Sequence, residues 1–229
     1  MSTGTRSYDD IPQHERPWQP LTVDGAMALF QDASFPWWVA GGHAIELAVG
    51  SPVRPHDDID ILILRRDHLA ARELLAEWDC WVADPPGTLR PWPINERLPD
   101  TSHDVWCRAG PEGPWRFQFM LDESDPDGRH WWSRRDPRIT RPVLEIGGRT
   151  GAGIPYLRPE IQLFYKAKGR RPKDEIDFAA ALPLLGTDQR TWLYRAIEVT
   201  SGPDHVWLPY LTTDRTPEQR SAAGRPGLR

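Results

Sequence analysis

Residues 38–64 read WVAGGHAIELAVGSPVRPHDDIDILIL, and this stretch decides the fold. Trp37 to Ala40 form a short apolar strand that ends at Gly41-Gly42. His43 to Val49 follow as a helix, with Gly50 suited to its C-terminal stop. Asp58 to Leu64 alternate acids with aliphatics and then turn apolar throughout, the pattern of a strand entering a core. A strand, two glycines and a helix start place backbone N–H groups at a helix N-terminus, which attracts phosphate. Arg54 adds a permanent cation and His56 a titratable one. Asp58 and Asp60 share one face of the expected strand, roughly 6–7 Å apart, while Asp57 faces the other way. Two carboxylates at the start of a buried strand are costly unless a positive charge sits between them. A hard divalent cation such as Mg²⁺ fills that position, and in-line displacement at a nucleotide phosphate uses such ions. Simpler readings exist for the same residues. Arg54 can pair with Asp57 or Glu46, His56 can orient an aspartate, and the two acids can be a solvated strand start.

Outward from this stretch, Val23, Met27 and Phe30 recur at helical spacing before it. After it, Asp67 is a suitable N-cap for a helix carrying Leu74, Leu75 and Trp78. Further strands are expected at Trp81–Ala83, Asp104–Cys107, Trp115–Leu121 and Trp131–Arg134. GGRTGAG (147–153) lacks any Walker or dinucleotide spacing and is expected to be an interdomain hinge. Beyond it the pattern turns helical: Pro159 leads into EIQLFYKAK, Pro172 into KDEIDFAAALPLL, and a third helix runs near Gln189–Thr200. The expectation is an α/β (α+β) fold. Its mixed-sheet domain spans 19–150, a small C-terminal helical domain spans 151–211, and flexible tails occupy 1–18 and 212–229.

The spacing GG-(x)11-R-x-H-D-D-I-D-I resembles the nucleotidyltransferase signature of the DNA polymerase β superfamily. The likeness is greatest to the aminoglycoside 2''-O-nucleotidyltransferase and lincosamide nucleotidyltransferase group. That group has GG-x-A followed by R-x-H-x-D-I-D, matched here by Gly41-Gly42-His43-Ala44 and Arg54-Pro55-His56-Asp57-Asp58-Ile59-Asp60. Trp115-Arg116, RRDPRI (134–139), GIPYLRPE (153–160) and YKAKGRRPKDEIDF (165–178) extend the resemblance over roughly residues 20–185. It implies that Gly41 and Gly42 hold the triphosphate with Arg54 as counter-charge and His56 nearby, and that Asp58 and Asp60 ligate the metal. Lys166, with Lys168 as the weaker candidate, would reach the nucleotide phosphates. The group also carries a third carboxylate on a later strand, and WRFQFMLDES places Gln118 there. An amide accepts no proton as a carboxylate does and is a poorer Mg²⁺ ligand. Asp122 is the first substitute as catalytic base, with Glu123 and Asp104 behind it.

Composition agrees with this reading. The 229 residues carry 28 basic and 33 acidic side chains, a net charge of -5. Such a chain lacks the broad basic surface of a nonspecific nucleic-acid binder. Twelve tryptophans need burial or a ligand to stack on. Most belong to the core, with Trp92, Trp131 and Trp132 as minor candidates for a ligand cleft. Cys80 and Cys107 make neither a disulfide framework nor a zinc site. The first fifteen residues hold no apolar run, and no stretch reaches the roughly 18 residues of a membrane span. A cytoplasmic protein is expected, with no membrane partner.

The expected activity is Mg²⁺-dependent transfer of a nucleoside monophosphate from an NTP, with ATP as the leading donor. The acceptor would be a hydroxyl on a small polyhydroxylated, aminoglycoside-like compound, and pyrophosphate the product. Two alternatives stand beside it: a binding module of the same fold that has lost efficient catalysis, which Gln118 favours, and transfer to a protein or RNA.

Overall fold

The computed structural model describes residues 12–212, which fall into two compact units on either side of Arg158 and Pro159. The first unit opens on helix α1 (Val23–Phe30), whose first turn is capped by the Thr22 hydroxyl accepting from the Gly25 N–H at 3.0 Å. Strand β1 (Trp37–Val39), helix α2 (Gly41–Val49) and strand β2 (Asp60–Leu64) follow. A 3-10 turn at Arg65–Asp67 leads into helix α3 (His68–Leu74). The remaining strands are β3 (Asp79–Ala83), β4 (Leu89–Pro91), β5 (Asp104–Arg108), β6 (Phe117–Ser124), β7 (His130–Ser133), β8 (Asp136–Pro142), β9 (Gly147–Arg149) and β10 (Pro155–Leu157).

Eight strands lie in the order β4-β3-β5-β6-β2-β1-β10-β9, and the β7–β8 hairpin extends from the far end of β6. The sheet is mixed. β2 runs parallel to β6 and β1 parallel to β10, while β1–β2, β3–β5 and β5–β6 are antiparallel. One face is apolar. Trp37, Val39, Ile61, Ile63, Val82, Val105, Cys107, Phe117, Phe119 and Leu121 form a core with Ala26 and Phe30 of α1 and Ala71 of α3. Because side chains alternate, the residues between them occupy the opposite face. Asp60, Gln118 and Trp106 belong to that second set.

The second unit holds α4 (Pro159–Ala167), α5 (Pro172–Ala181), α6 (Thr187–Ser201) and the short α7 (Leu208–Leu211). Phe178 stacks on Trp207 at 4.2 Å between ring centroids, and Leu193, Ala196 and Ile197 bury the inner face of α6. Among the described residues no helix is long and apolar enough to cross a membrane.

Several expectations shift. The glycine-rich 147–153 stretch is not a hinge: it supplies β9 and the turn to β10, which pairs with β1 through Val39 and Tyr156. Backbone pairing outweighs composition there, and the compact units divide eight residues later than position 150. Residues 12–18 are not a loose arm. Gln13 O accepts from Trp115 Nε1 at 2.9 Å, and Trp18 meets Trp106 edge-on at 5.0 Å. The tail positions 1–11 and 213–229 lie outside the described residues. Asp58 precedes β2, which starts at Asp60. Asp67 begins α3 without a side-chain cap, and the helix ends at Leu74 before reaching Trp78. β4 and β8, absent from the periodicity, form because neighbouring strands offer them partners. Trp92 and Trp131 are fully buried, so their rings present no surface for a ligand to stack on.

Candidate active site

The candidate site forms where β1 turns into α2 beside the start of β2. Ala40 N–H donates to Asp60 O at 2.8 Å, which binds the turn to the strand. Gly41 sits at φ +66, and a Cβ there would collide with the Asp60 carboxylate. Glycine is required twice over: for the left-handed backbone and for the close approach of the acid. A Cβ at Gly42 would strike the His56 ring and the Arg54 guanidinium. The glycine pair thus admits an aspartate, a histidine and an arginine to the first turn of a helix. Helix geometry leaves the first-turn N–H groups without intrahelical partners, and the helix dipole adds positive potential.

Arg54, His56 and Glu46 form a connected set. Glu46 Oε1 accepts from the backbone N–H of Val53 at 2.7 Å and of Arg54 at 3.2 Å. His56 Nε2 lies 3.0 Å from the same oxygen, and His56 Nδ1 lies 3.2 Å from Arg54 Nη1. His43 stacks on His56 with ring centroids 4.0 Å apart and approaches Glu46 Oε2 to 3.5 Å. Burial alone would raise the Glu46 carboxyl pKa. The bonds from Val53, His56 and Arg54 reverse this and hold it below the usual carboxylate range. Burial, reinforced by His56, pushes the His43 imidazole below its usual value, partly offset by Glu46 and Asp58. Asp58 is therefore close enough to act on His43, on the same helix start that Asp60 touches.

The third-carboxylate position is explicit in the register. Asp60 of β2 pairs with Gln118 of β6, which pairs with Trp106 of β5. Residues directly opposite share a face, so Gln118 stands beside Asp60. Asp122, the expected substitute base, is not brought to the site. It lies opposite Leu64, four residues on, roughly 13 Å along the strand. It is fully buried, its Oδ2 accepting from Trp131 Nε1 at 2.7 Å and its Oδ1 from Arg134 Nη1 at 2.6 Å. Glu123 is likewise engaged, with Arg65 Nε at 2.6 Å. In the second unit, Lys166 is buried and its Nζ lies 2.7 Å from Asp177 and 3.4 Å from Asp174. Sequence reading passed over His43 and the hub role of Glu46. The i,i+3 spacing of the two on α2 was the available signal.

Residues 23–85, which contain the glycine pair, Arg54, His56 and both aspartates, match the family model of aminoglycoside-2''-adenylyltransferase. No curated protein sequence matches the chain. Among solved structures, the antibiotic-resistance factor ANT(2'')-Ia in solution is 14% identical, with TM-score 0.48, over 76% of this chain and 87% of that one. The lincomycin-bound lincosamide antibiotic adenylyltransferase LnuA is 16% identical, with TM-score 0.48, over 71% and 97%. An antigenic nucleotidyltransferase-like protein from Paracoccidioides brasiliensis is 16% identical, with TM-score 0.44, over 82% and 89%. The similarity to the aminoglycoside-2''-adenylyltransferase family model thus covers the segment 23–85, which holds the glycine turn and both aspartates.

Proposed function

We propose that the protein transfers a nucleoside monophosphate from an NTP, ATP first, to a hydroxyl of a small polyhydroxylated acceptor, releasing pyrophosphate. The observation that carries this reading is the Asp60 carboxylate against the backbone of Gly41 at the start of α2, with Arg54 and His56 against Gly42. Asp58 and Asp60 offer only hard oxygen donors, and Asp60 fills space that a side chain at 41 would take. This donor set fits Mg²⁺ and not a soft metal. When bound, the ion neutralises charge that builds on the phosphate oxygens.

The chain's own residues do the rest. The first turn of α2 and the Arg54 guanidinium bind phosphate oxygens, the amides by direction and the guanidinium by charge. Glu46 and His56 hold Arg54 in place. Gln118 presents an amide oxygen beside Asp60 that orients a hydroxyl without removing its proton. The acidic balance of the chain suits a cationic acceptor.

One observation favours a second reading. With Gln118 opposite Asp60, and both Asp122 and Glu123 engaged elsewhere, the same cradle serves a module that binds nucleotide and turns it over poorly. Pyrophosphate release from ATP and Mg²⁺, tested with aminoglycosides, lincosamides and other polyols, separates the two. Release that needs both an acceptor and the pair Asp58 and Asp60 establishes the transferase. Nucleotide binding without release, with the D58N/D60N protein losing that binding, establishes the module.

A further inference from the structure

The register carries a row of side chains across the second face of the sheet: Asp60 of β2, Gln118 of β6, Trp106 of β5 and Trp81 of β3. Strands lie about 4.8 Å apart, so Trp106 stands roughly 10 Å from Asp60 along this row. Trp106 is only half-buried, although it contacts two other indoles. Trp115 packs on it at 5.6 Å, and Trp18 meets it edge-on at 5.0 Å. Arg108 lies over Trp81 at 5.6 Å and over Trp115 at 4.6 Å, which closes the far end of the row. Asp104 stands two residues along β5 from Trp106 on the same face, also half-buried. Trp106 therefore stays partly exposed in this row, between Gln118 and Trp18.

Its position relative to the cradle gives this indole a role. The glycine turn lies on the β1 side of Asp60, and Gln118 and Trp106 lie on the other side. In-line displacement needs the attacking oxygen opposite the departing pyrophosphate. With the phosphates at Gly41, Gly42 and Arg54, the hydroxyl must arrive from the Gln118 side, over the row that ends on Trp106. We propose that Trp106 is the stacking platform of the acceptor, with Gln118 directing the reacting hydroxyl and Asp104 facing an amine on the stacked ring. This rests on the transferase reading above. The roughly 10 Å span adds a size requirement. A single six-membered ring seated on Trp106 does not reach Asp60, so the acceptor has at least two linked rings, or one ring with an arm of that length.

The test compares the unaltered protein with Trp106→Leu and Trp106→Phe, using neamine as a two-ring amino-cyclitol probe and 2-deoxystreptamine as its single ring. The expected result is an acceptor KM raised about tenfold for neamine in Trp106→Leu and largely restored in Trp106→Phe. The KM for ATP should not change in either variant, and 2-deoxystreptamine should be the poorer acceptor in the unaltered protein. An unchanged neamine KM in Trp106→Leu overturns the proposal, as does a matching rise in the KM for ATP. A ¹⁹F spectrum of the full chain labelled with 5-fluorotryptophan, its Trp106 resonance assigned from Trp106→Phe, reads the contact without turnover. Neamine should shift that resonance in the absence of ATP. If no acceptor supports pyrophosphate release, the transferase reading fails and this spectrum alone decides the platform: a shift sustains it, and no shift overturns it.

Discussion

Asp60 Oδ2 lies where the Cβ of any residue other than glycine at position 41 would stand. The two positions are nineteen residues apart in the chain and are brought together by the antiparallel pairing of β1 with β2. This one relationship joins the turn proposed to bind phosphate to the carboxylate beside it. Gly41→Ala is expected to displace Asp60 and to add strain of about 1 kcal/mol from its left-handed backbone. Calorimetry should show Mg²⁺-ATP binding weakened at least about tenfold, with only a modest fall in Tm. Unchanged binding would separate Asp60 from the cation site.

Glu46 is the hub that fixes the 53–56 segment. Glu46→Ala removes the acceptor for two backbone N–H groups and the partner of His56. A cost of about 2 kcal/mol in urea unfolding is expected, with a raised KM for ATP because Arg54 is no longer held. Glu46→Gln keeps an acceptor oxygen and should recover most of the stability.

Asp122 separates structure from catalysis. With one oxygen on Trp131 and the other on Arg134, it anchors β7 to β6. Asp122→Asn removes the buried carboxylate that the half-buried Arg134 guanidinium faces and should cost about 3 kcal/mol. The transfer rate per folded molecule should stay within about twofold, measured below the lowered Tm. A loss of rate with no loss of stability would restore Asp122 as the base.

Gln118→Glu places a carboxylate one strand away from Asp60. If a missing general base limits turnover, this change should accelerate pyrophosphate release by about 100-fold, with an acidic limb in the pH profile. A flat response would mean that deprotonation of the acceptor does not limit the reaction.

His68 and His103 set a pH dependence of stability. Burial holds both imidazoles below their usual value, as does the neighbouring Arg65 charge, although the Arg65 carbonyl partly offsets this at His68. His68 Nδ1 donates to that carbonyl at 2.6 Å, and its Nε2 accepts from the Leu98 N–H at 3.3 Å, so it is folded as the neutral ring. The unfolded chain binds these protons at higher pH than the folded chain does. Stability is therefore fully present above about pH 6.5, and it falls as pH drops from there through the lower folded values. Unfolding followed between pH 7.5 and 5 should show this decline, and His68→Gln should flatten it.

Most of the cluster around the start of α2 was legible in the sequence. Gly41, Gly42, Arg54, His56, Asp58 and Asp60 lie within twenty residues, on a turn and a strand start whose types follow from local pattern. Asp122 was misleading for a physical reason. Strand parity puts it on the face of Gln118, but parity says nothing of distance along the strand or of the Trp131 and Arg134 side chains that claim its oxygens. The glycines of 147–153 misled differently: their composition matches a hinge, yet β1 offers a free edge that β10 pairs with.

By itself, then, the sequence determined the chemistry at hand, an anion-attracting helix start beside two hard carboxylates, because those residues are neighbours in the chain and their geometry is local. Tertiary structure alone decided what faces that chemistry. The pairing of β2 with β6 and of β6 with β5 places Gln118 and Trp106 in line with Asp60, from positions 58 and 46 residues away. Such a row is a product of strand register, which depends on long-range pairing and on burial of the opposite face, and no local pattern encodes it.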